Sequence, residues 1–170
     1  MLNWAQHPPQ IGITMPSLCF VCLGNICRSP TAEGVMNKIL EQEGLQDQFS
    51  VDSAGTSAYH VGEPADSRSR AVAHEHGYHL TSRSRKVQPG DFHRFDLIIA
   101  MDKSNLRDLQ NMAPSQSSAQ LVLCRDFDPQ SPPNSDVPDP YYGGERGFLE
   151  VLQICERSCK GILTHFQIST

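Results

Sequence analysis

One stretch near the start of the chain, Cys19-Phe20-Val21-Cys22-Leu23-Gly24-Asn25-Ile26-Cys27-Arg28-Ser29-Pro30-Thr31-Ala32-Glu33-Gly34, limits what the rest can become. Residues 18–22 are a short apolar run of strand formers, Gly24-Asn25 is a turn pair able to take positive φ, and Ser29-Pro30 opens a helix. A five-residue loop therefore joins a strand end to a helix N-terminus, where unpaired N–H groups and the positive end of the helix dipole favour a dianion. Cys22 stands at the strand end and Arg28 at the helix entrance. A loop curled between them aims its N–H groups inward and brings the sulfur beneath a bound anion, in a positive field that favours thiolate over thiol. Arg28 offers a planar fork for two oxygens of a phosphoryl group. Ser29 is placed to donate to the sulfur and make it a better leaving group when a phosphocysteine breaks down.

Cys19-x-x-Cys22 also has the spacing of a redox or metal pair. On a strand, however, residues 19 and 22 point to opposite faces and cannot chelate one ion, so no metal site is expected. Two readings of Cys27 stay open. It is either a partner for a reversible disulfide with Cys22 once that sulfur is oxidised to sulfenic acid, or a small buried residue that shapes the loop.

From Pro30 the apolar residues Ala32, Val35, Met36, Ile39 and Leu40 recur at helical spacing, with a stop near Gly44, and residues 49–54 alternate like a strand. A right-handed crossover makes this a βαβ unit, with its ligand site at the carboxyl ends of the strands. A second helix is expected over 64–76, ended by Gly77. Arg83, Arg85 and Lys86 read as a solvated basic cluster. Residues 95–101 form a near-continuous apolar strand, Asp102 caps the next helix, 121–124 is a fourth strand, and 147–166 closes the chain as a helix. The order predicts an α/β fold: an open, doubly wound, four-stranded parallel sheet flanked by helices, with a phosphate-binding loop after the first strand.

At 170 residues the chain suits a single domain, expected over 17–170. Residues 1–16 lack the pattern of a secretory signal and are expected to be a flexible, dispensable extension. The formal net charge of −5 argues against nucleic acid as a partner, and no apolar run is long enough to insert in a membrane. Cysteines at 19, 22, 27, 124, 155 and 159 are then expected to be reduced, in a cytoplasmic protein.

Phosphoryl transfer to a sulfur also needs an acid to protonate the departing oxygen, which nothing in the loop supplies. Asp139, between Pro138 and Pro140 and beside Tyr141 and Tyr142, is a candidate; a plain turn is the competing reading.

The segment Val21-Cys22-Leu23-Gly24-Asn25-Ile26-Cys27-Arg28-Ser29-Pro30 resembles the phosphate-binding loop of the low-molecular-weight protein tyrosine phosphatases, and further matches follow in order at 51–57, 101–109 and 139–143. The resemblance implies hydrolysis of phosphotyrosine through a phosphocysteine, with Cys22 as nucleophile, Arg28 as phosphate clamp and Asp139 as general acid and base. It implies a pocket walled by Tyr59, Tyr141 and Tyr142, floored by Leu23 and Ile26, with His60 at its rim. It further implies a hydrogen-bond network of Asn25, Ser29, Ser53 and His76 that holds the loop, and a protective role for Cys27. Phosphotyrosine-containing proteins are the implied partners and phosphate or vanadate the implied ligands, with no cofactor and a monomeric state. A non-catalytic phosphotyrosine-binding module is the alternative, but would be expected to lack Cys22 or Asp139. Arginine phosphatases of this fold carry Thr where this chain has Ile26, and arsenate reductases need further redox cysteines, whereas none lies between Cys27 and Cys124.

Overall fold

The computed structural model describes residues 15–168, apart from the side chains of Tyr142 and Ile168. The expected extension therefore lies, up to residue 14, outside the described residues. Four parallel strands, β1 (Ser17–Cys22), β2 (Ser50–Gly55), β3 (Leu97–Ala100) and β4 (Gln120–Leu123), form one sheet in the order β2-β1-β3-β4. Five helices accompany them: α1 (Arg28–Gln42), α2 (Ser67–Glu75), α3 (Asp91–Arg94), α4 (Lys103–Met112) and α5 (Gly144–Ile168).

Alternation along β1 divides the interior. Leu18, Phe20 and Cys22 join the apolar side chains of α1 and α5, while Cys19 and Val21 join Phe92, Leu106 and Leu109 on the other face. Both faces are covered, which is why β1 and β3 read as unbroken apolar runs. Burial of the nine apolar and cysteine side chains of α5 from Phe148 to Phe166 secures that helix against α1. The sheet is the expected doubly wound one. Its order reverses at β1, flanked by β2 and β3, so a crevice opens beyond the carboxyl end of β1.

Local starts and stops follow the side chains. Asp102 Oδ1 accepts from Asn105 N at 2.7 Å and caps α4, as expected. Asp66 caps α2, which begins at Ser67 rather than at Pro64 because the carboxylate accepts from Arg68 N at 2.9 Å. α5 starts at Gly144, earlier than its apolar pattern suggests, through a positive φ of 69°. Arg85 corrects the solvated-cluster expectation. Its guanidinium is sandwiched between Asp52 and Asp91, each at 2.9 Å, and ties β2 to the start of α3.

Candidate active site

The loop from Cys22 to Arg28 is shaped by what its carbonyls do. Cys22 O accepts from Thr56 N at 2.9 Å, Leu23 O from Ser57 N at 2.9 Å, and Ile26 O from Asp66 N at 2.8 Å. Gly24 O accepts from Ser84 Oγ at 2.9 Å, and Cys27 O from Thr31 Oγ1 at 2.7 Å. In planar trans peptides an N–H points opposite its neighbouring C=O, so carbonyls bound outside leave the N–H groups of residues 23, 24, 25, 27 and 28 turned inward. Asn25 N donates to Cys22 Sγ at 3.2 Å, which centres the sulfur beneath that ring.

Asn25 holds the curl. It takes a positive φ of 55°, a conformation Asn tolerates, and its buried amide is fully used. Nδ2 donates to Ser29 Oγ at 2.8 Å and Ser53 Oγ at 2.9 Å, while Oδ1 accepts from Arg85 N at 3.0 Å. Ser53 Oγ donates onward to Glu33 Oε2 at 2.6 Å. Burial pushes the Glu33 carboxyl upward, against the opposing hydrogen bonds from Ser53 and Ser82. Ser29 Oγ lies 3.0 Å from Cys22 Sγ.

His76 is not part of this network. It is exposed at the end of α2, with Nδ1 2.9 Å from Val72 O, a helix-terminal contact made by a residue one turn on. Glu33, Ser82 and Arg85 surround Ser53 and Asn25 instead. Gly55 is the other residue that sequence reasoning missed. A Cβ there would meet Leu23 O at 2.7 Å and Asn25 N at 3.2 Å, so only glycine lets the end of β2 lie against the loop.

Arg28 is buried and shared between loop and neighbours. Nη1 donates to Asp102 Oδ2 at 2.6 Å and Val137 O at 3.0 Å, while Nη2 lies 3.7 Å from Asp139 Oδ2. Burial works against its charge, but Cys22, Asp102 and Asp139 outweigh it and hold the guanidinium more firmly charged than a free one. Asp139 caps a short 3₁₀ turn, accepting from Tyr141 N at 3.0 Å, and remains 42% exposed.

These groups meet in one cleft of about 230 Å³, lined by Cys22, Leu23, Gly24, Ile26, Cys27, Arg28, Ser57, Tyr59, His60, Asp139 and Tyr141. Its size is below the roughly 300–1,000 Å³ of sites for drug-sized ligands and suits a phosphorylated side chain. Ile26 is buried, whereas Leu23 and Tyr59 are 49% and 87% exposed, and all three line the cleft. His60 packs on Gly24, and its Nδ1 lies 2.8 Å from Glu63 Oε2. The side chain of Tyr142 lies outside the described residues. Ser57 Oγ is buried without a protein partner among them. Cys22 and Cys27 are free thiols, and burial, partly offset by a hydrogen bond with Ser69, pushes Cys27 up to about 12. No cluster of three metal-ligating side chains occurs among the described residues.

The sequence pattern of the low molecular weight phosphotyrosine protein phosphatases matches residues 17–169. A low molecular weight protein-tyrosine-phosphatase of Streptomyces coelicolor is 47% identical over 148 residues, covering 86% of this chain and 90% of its own. The low molecular weight phosphotyrosine protein phosphatase of Rattus norvegicus is 43% identical over 149 residues, covering 86% and 93%. Among solved structures, a protein tyrosine phosphatase from Entamoeba histolytica with Hepes in the active site superposes with a TM-score of 0.86 at 44% identity, over 90% of this chain and 97% of its own. A pattern matched from the first strand to the last helix, and relatives this similar along most of their length, mean that the chain belongs to the low molecular weight phosphotyrosine protein phosphatase family.

Proposed function

We propose that this chain hydrolyses phosphotyrosine in proteins through a phosphocysteine on Cys22. The observation that carries the reading is a sulfur held by Asn25 N and Ser29 Oγ at the centre of a ring of inward N–H groups, in one cleft with Arg28 and Asp139. The Cys22 thiolate attacks phosphorus in line with the phenolic oxygen; the S–P bond forms as the P–O bond breaks, and Asp139 gives its proton to the departing phenol. Arg28 and the loop N–H groups hold the equatorial oxygens, where charge gathers in the transition state. A water then attacks phosphorus, Asp139 takes its proton, and the thiolate leaves towards the Ser29 hydroxyl, releasing phosphate. Tyr59, Tyr141 and the apolar side chain of Ile26 favour an aromatic ring in the cleft over a guanidino group.

No helix among the described residues is long and apolar enough to cross a membrane. Six free cysteines fit a reducing cytoplasmic setting, and we take the working unit to be a monomeric single domain. The test is release of phosphate from para-nitrophenyl phosphate and a phosphotyrosine peptide beside phosphoserine and phosphoarginine, with Cys22→Ser as control. Cys22-dependent release from the aryl phosphates alone is expected. Silence on all four with phosphate still bound would replace the enzyme with a binding module.

A further inference from the structure

The turn that carries Asp139 is tied to the phosphate loop by a side chain outside the cleft lining. Arg68, the second residue of α2, is gripped by the carboxylate that caps its own helix: Nε donates to Asp66 Oδ1 at 3.0 Å and Nη2 to Oδ2 at 2.9 Å. Its guanidinium lies 4.7 Å from the Phe148 ring centroid and 5.2 Å from that of Tyr141, and Nη1 donates to Tyr141 O at 3.4 Å.

Both ends of this tie are anchored at the site. On one side, Asp66 N donates to Ile26 O of the phosphate loop at 2.8 Å, and Phe148 packs with Ile26 and Cys27 in one buried cluster. On the other, Tyr141 N donates to Asp139 Oδ1 at 3.0 Å. Among the described residues, Asp139 is otherwise approached by Arg28 Nη2 at 3.7 Å, and it is 42% exposed. Such a carboxyl is useful as an acid only if its turn is held within hydrogen-bond reach of the leaving oxygen. A guanidinium can hold it there, because it sits over two aromatic rings while its fork spans a carboxylate and a carbonyl.

We propose that Arg68 is a positioning residue for the general acid, fixing the Asp139–Tyr141 turn over the phosphate loop so that the carboxyl meets the oxygen of the departing phenol. The proposal rests on Asp139 being that acid. It predicts a particular defect: Arg68 should matter in proportion to how much protonation the leaving group needs. An ester of an acidic phenol leaves unaided, whereas tyrosine does not.

The experiment is a series of aryl phosphates of rising phenol pKa, with kcat/KM measured for the wild type, Arg68→Ala, Arg68→Lys and Asp139→Asn, and vanadate inhibition as a control on the phosphate loop. Arg68→Ala is expected to steepen the dependence on leaving-group pKa. The loss should be about tenfold for tyrosine-like phenols, a part of the 10²–10⁴ that a general acid supplies, and within about twofold for the most acidic phenol, at unchanged vanadate affinity. Arg68→Lys keeps the charge but has no fork to span carboxylate and carbonyl, and should steepen the slope in the same direction; if the alanine variant does not fold, the lysine variant decides. A uniform loss across the series, or a wild-type slope in the folded variants, overturns the role of Arg68 while Asp139→Asn still steepens it. A wild-type slope in Asp139→Asn overturns the general acid and the proposal with it.

Discussion

Arg28 Nη1 donates to Asp102 Oδ2 at 2.6 Å, joining the first residue of α1 to the residue that caps α4. One carboxylate thereby does two jobs, since its Oδ1 accepts from Asn105 N at 2.7 Å. Asp102→Asn keeps an oxygen for the cap but removes the charge that orients the guanidinium. Vanadate and phosphate should bind about tenfold more weakly, within what a hydrogen bond between charged groups contributes, while the melting temperature changes little. Asp102→Ala should lose the cap as well, and about 1 kcal/mol of stability. Inhibition constants and thermal melts of the two variants separate the roles; equal vanadate affinity in wild type and Asp102→Asn would remove Asp102 from phosphate binding.

Ser29 Oγ accepts from Asn25 Nδ2 at 2.8 Å and lies 3.0 Å from the Cys22 sulfur and 3.4 Å from Ala54 O; a thiolate can only accept, so with sulfur in that form the hydroxyl hydrogen turns to it. That hydrogen bond helps most when sulfur leaves phosphorus. Ser29→Ala should slow phosphocysteine breakdown by about tenfold and its formation much less, the size expected for one hydrogen bond to a charged group. Rapid-quench measurements with para-nitrophenyl phosphate should show a burst of nitrophenol ahead of a slowed steady rate. Equal slowing of both phases would argue that Ser29 only shapes the loop.

The strands, the loop and its helix are legible because each is written locally: an apolar run, a Gly-Asn turn and a Ser-Pro helix start lie within sixteen residues of one another. The partners of the loop are not. Arg85 reaches Asn25 from 60 positions away through its backbone N–H, and such a contact leaves no mark on residue type. Its side chain, which reads as part of a solvated cluster, is drawn inward because Asp52 and Asp91 converge on it from separate elements. Gly55 looks like a loop glycine, and only the closeness of Leu23 O explains it. The resemblance places His76 in the network, but its local pattern, a lone His before the helix-ending Gly77, reads as a helix-terminal surface residue, and the end of its own helix claims it. Asp102 shows its cap in the sequence but not Arg28, a partner 74 positions distant.

Asp128 links the turn after β4 to α5. Burial alone would raise its carboxyl, but Arg157 Nε and Nη2, each at 3.0 Å, with Gln130 N and Ser131 Oγ, outweigh that and hold it below the ordinary 3.8. A carboxyl whose folded pKa lies below its unfolded one releases its proton more readily when folded. Its stabilising contribution is therefore complete above 3.8 and lost as pH falls through the lower folded value. Asp128→Asn should be less stable than wild type at neutral pH, and the gap should close on acidification below that point. Thermal melts of both proteins from roughly pH 6 to pH 2.5 check this; a gap that stays constant with pH would mean that the ion pair contributes nothing beyond packing.

Gly161 lies inside α5, where replacing glycine by alanine ordinarily stabilises a helix by about 1 kcal/mol. Here the sign should reverse. A Cβ at 161 would collide with Phe127 O and sit 2.9 Å from Phe127 C, backbone atoms of the turn that follows β4. That turn cannot yield easily, because Asp128 beside it is clamped by Arg157 from the same helix and Cys124 and Phe127 are buried in the main core. Forced separation of helix and turn is an overpacking change, costing typically 1–3 kcal/mol, so Gly161→Ala should lower stability by about 2 kcal/mol, or the melting temperature by about 6 °C. Gly147 is the control on the same helix: a Cβ there makes ordinary contacts of 3.5 Å and 3.6 Å with Pro140, and Gly147→Ala should carry no such penalty. Phosphate binding should survive both changes, because the close approach at 161 secures the floor of the domain and not the Cys22 loop. Were Gly161→Ala more stable than wild type, the contact between α5 and the 124–127 turn would have to be looser than its geometry implies.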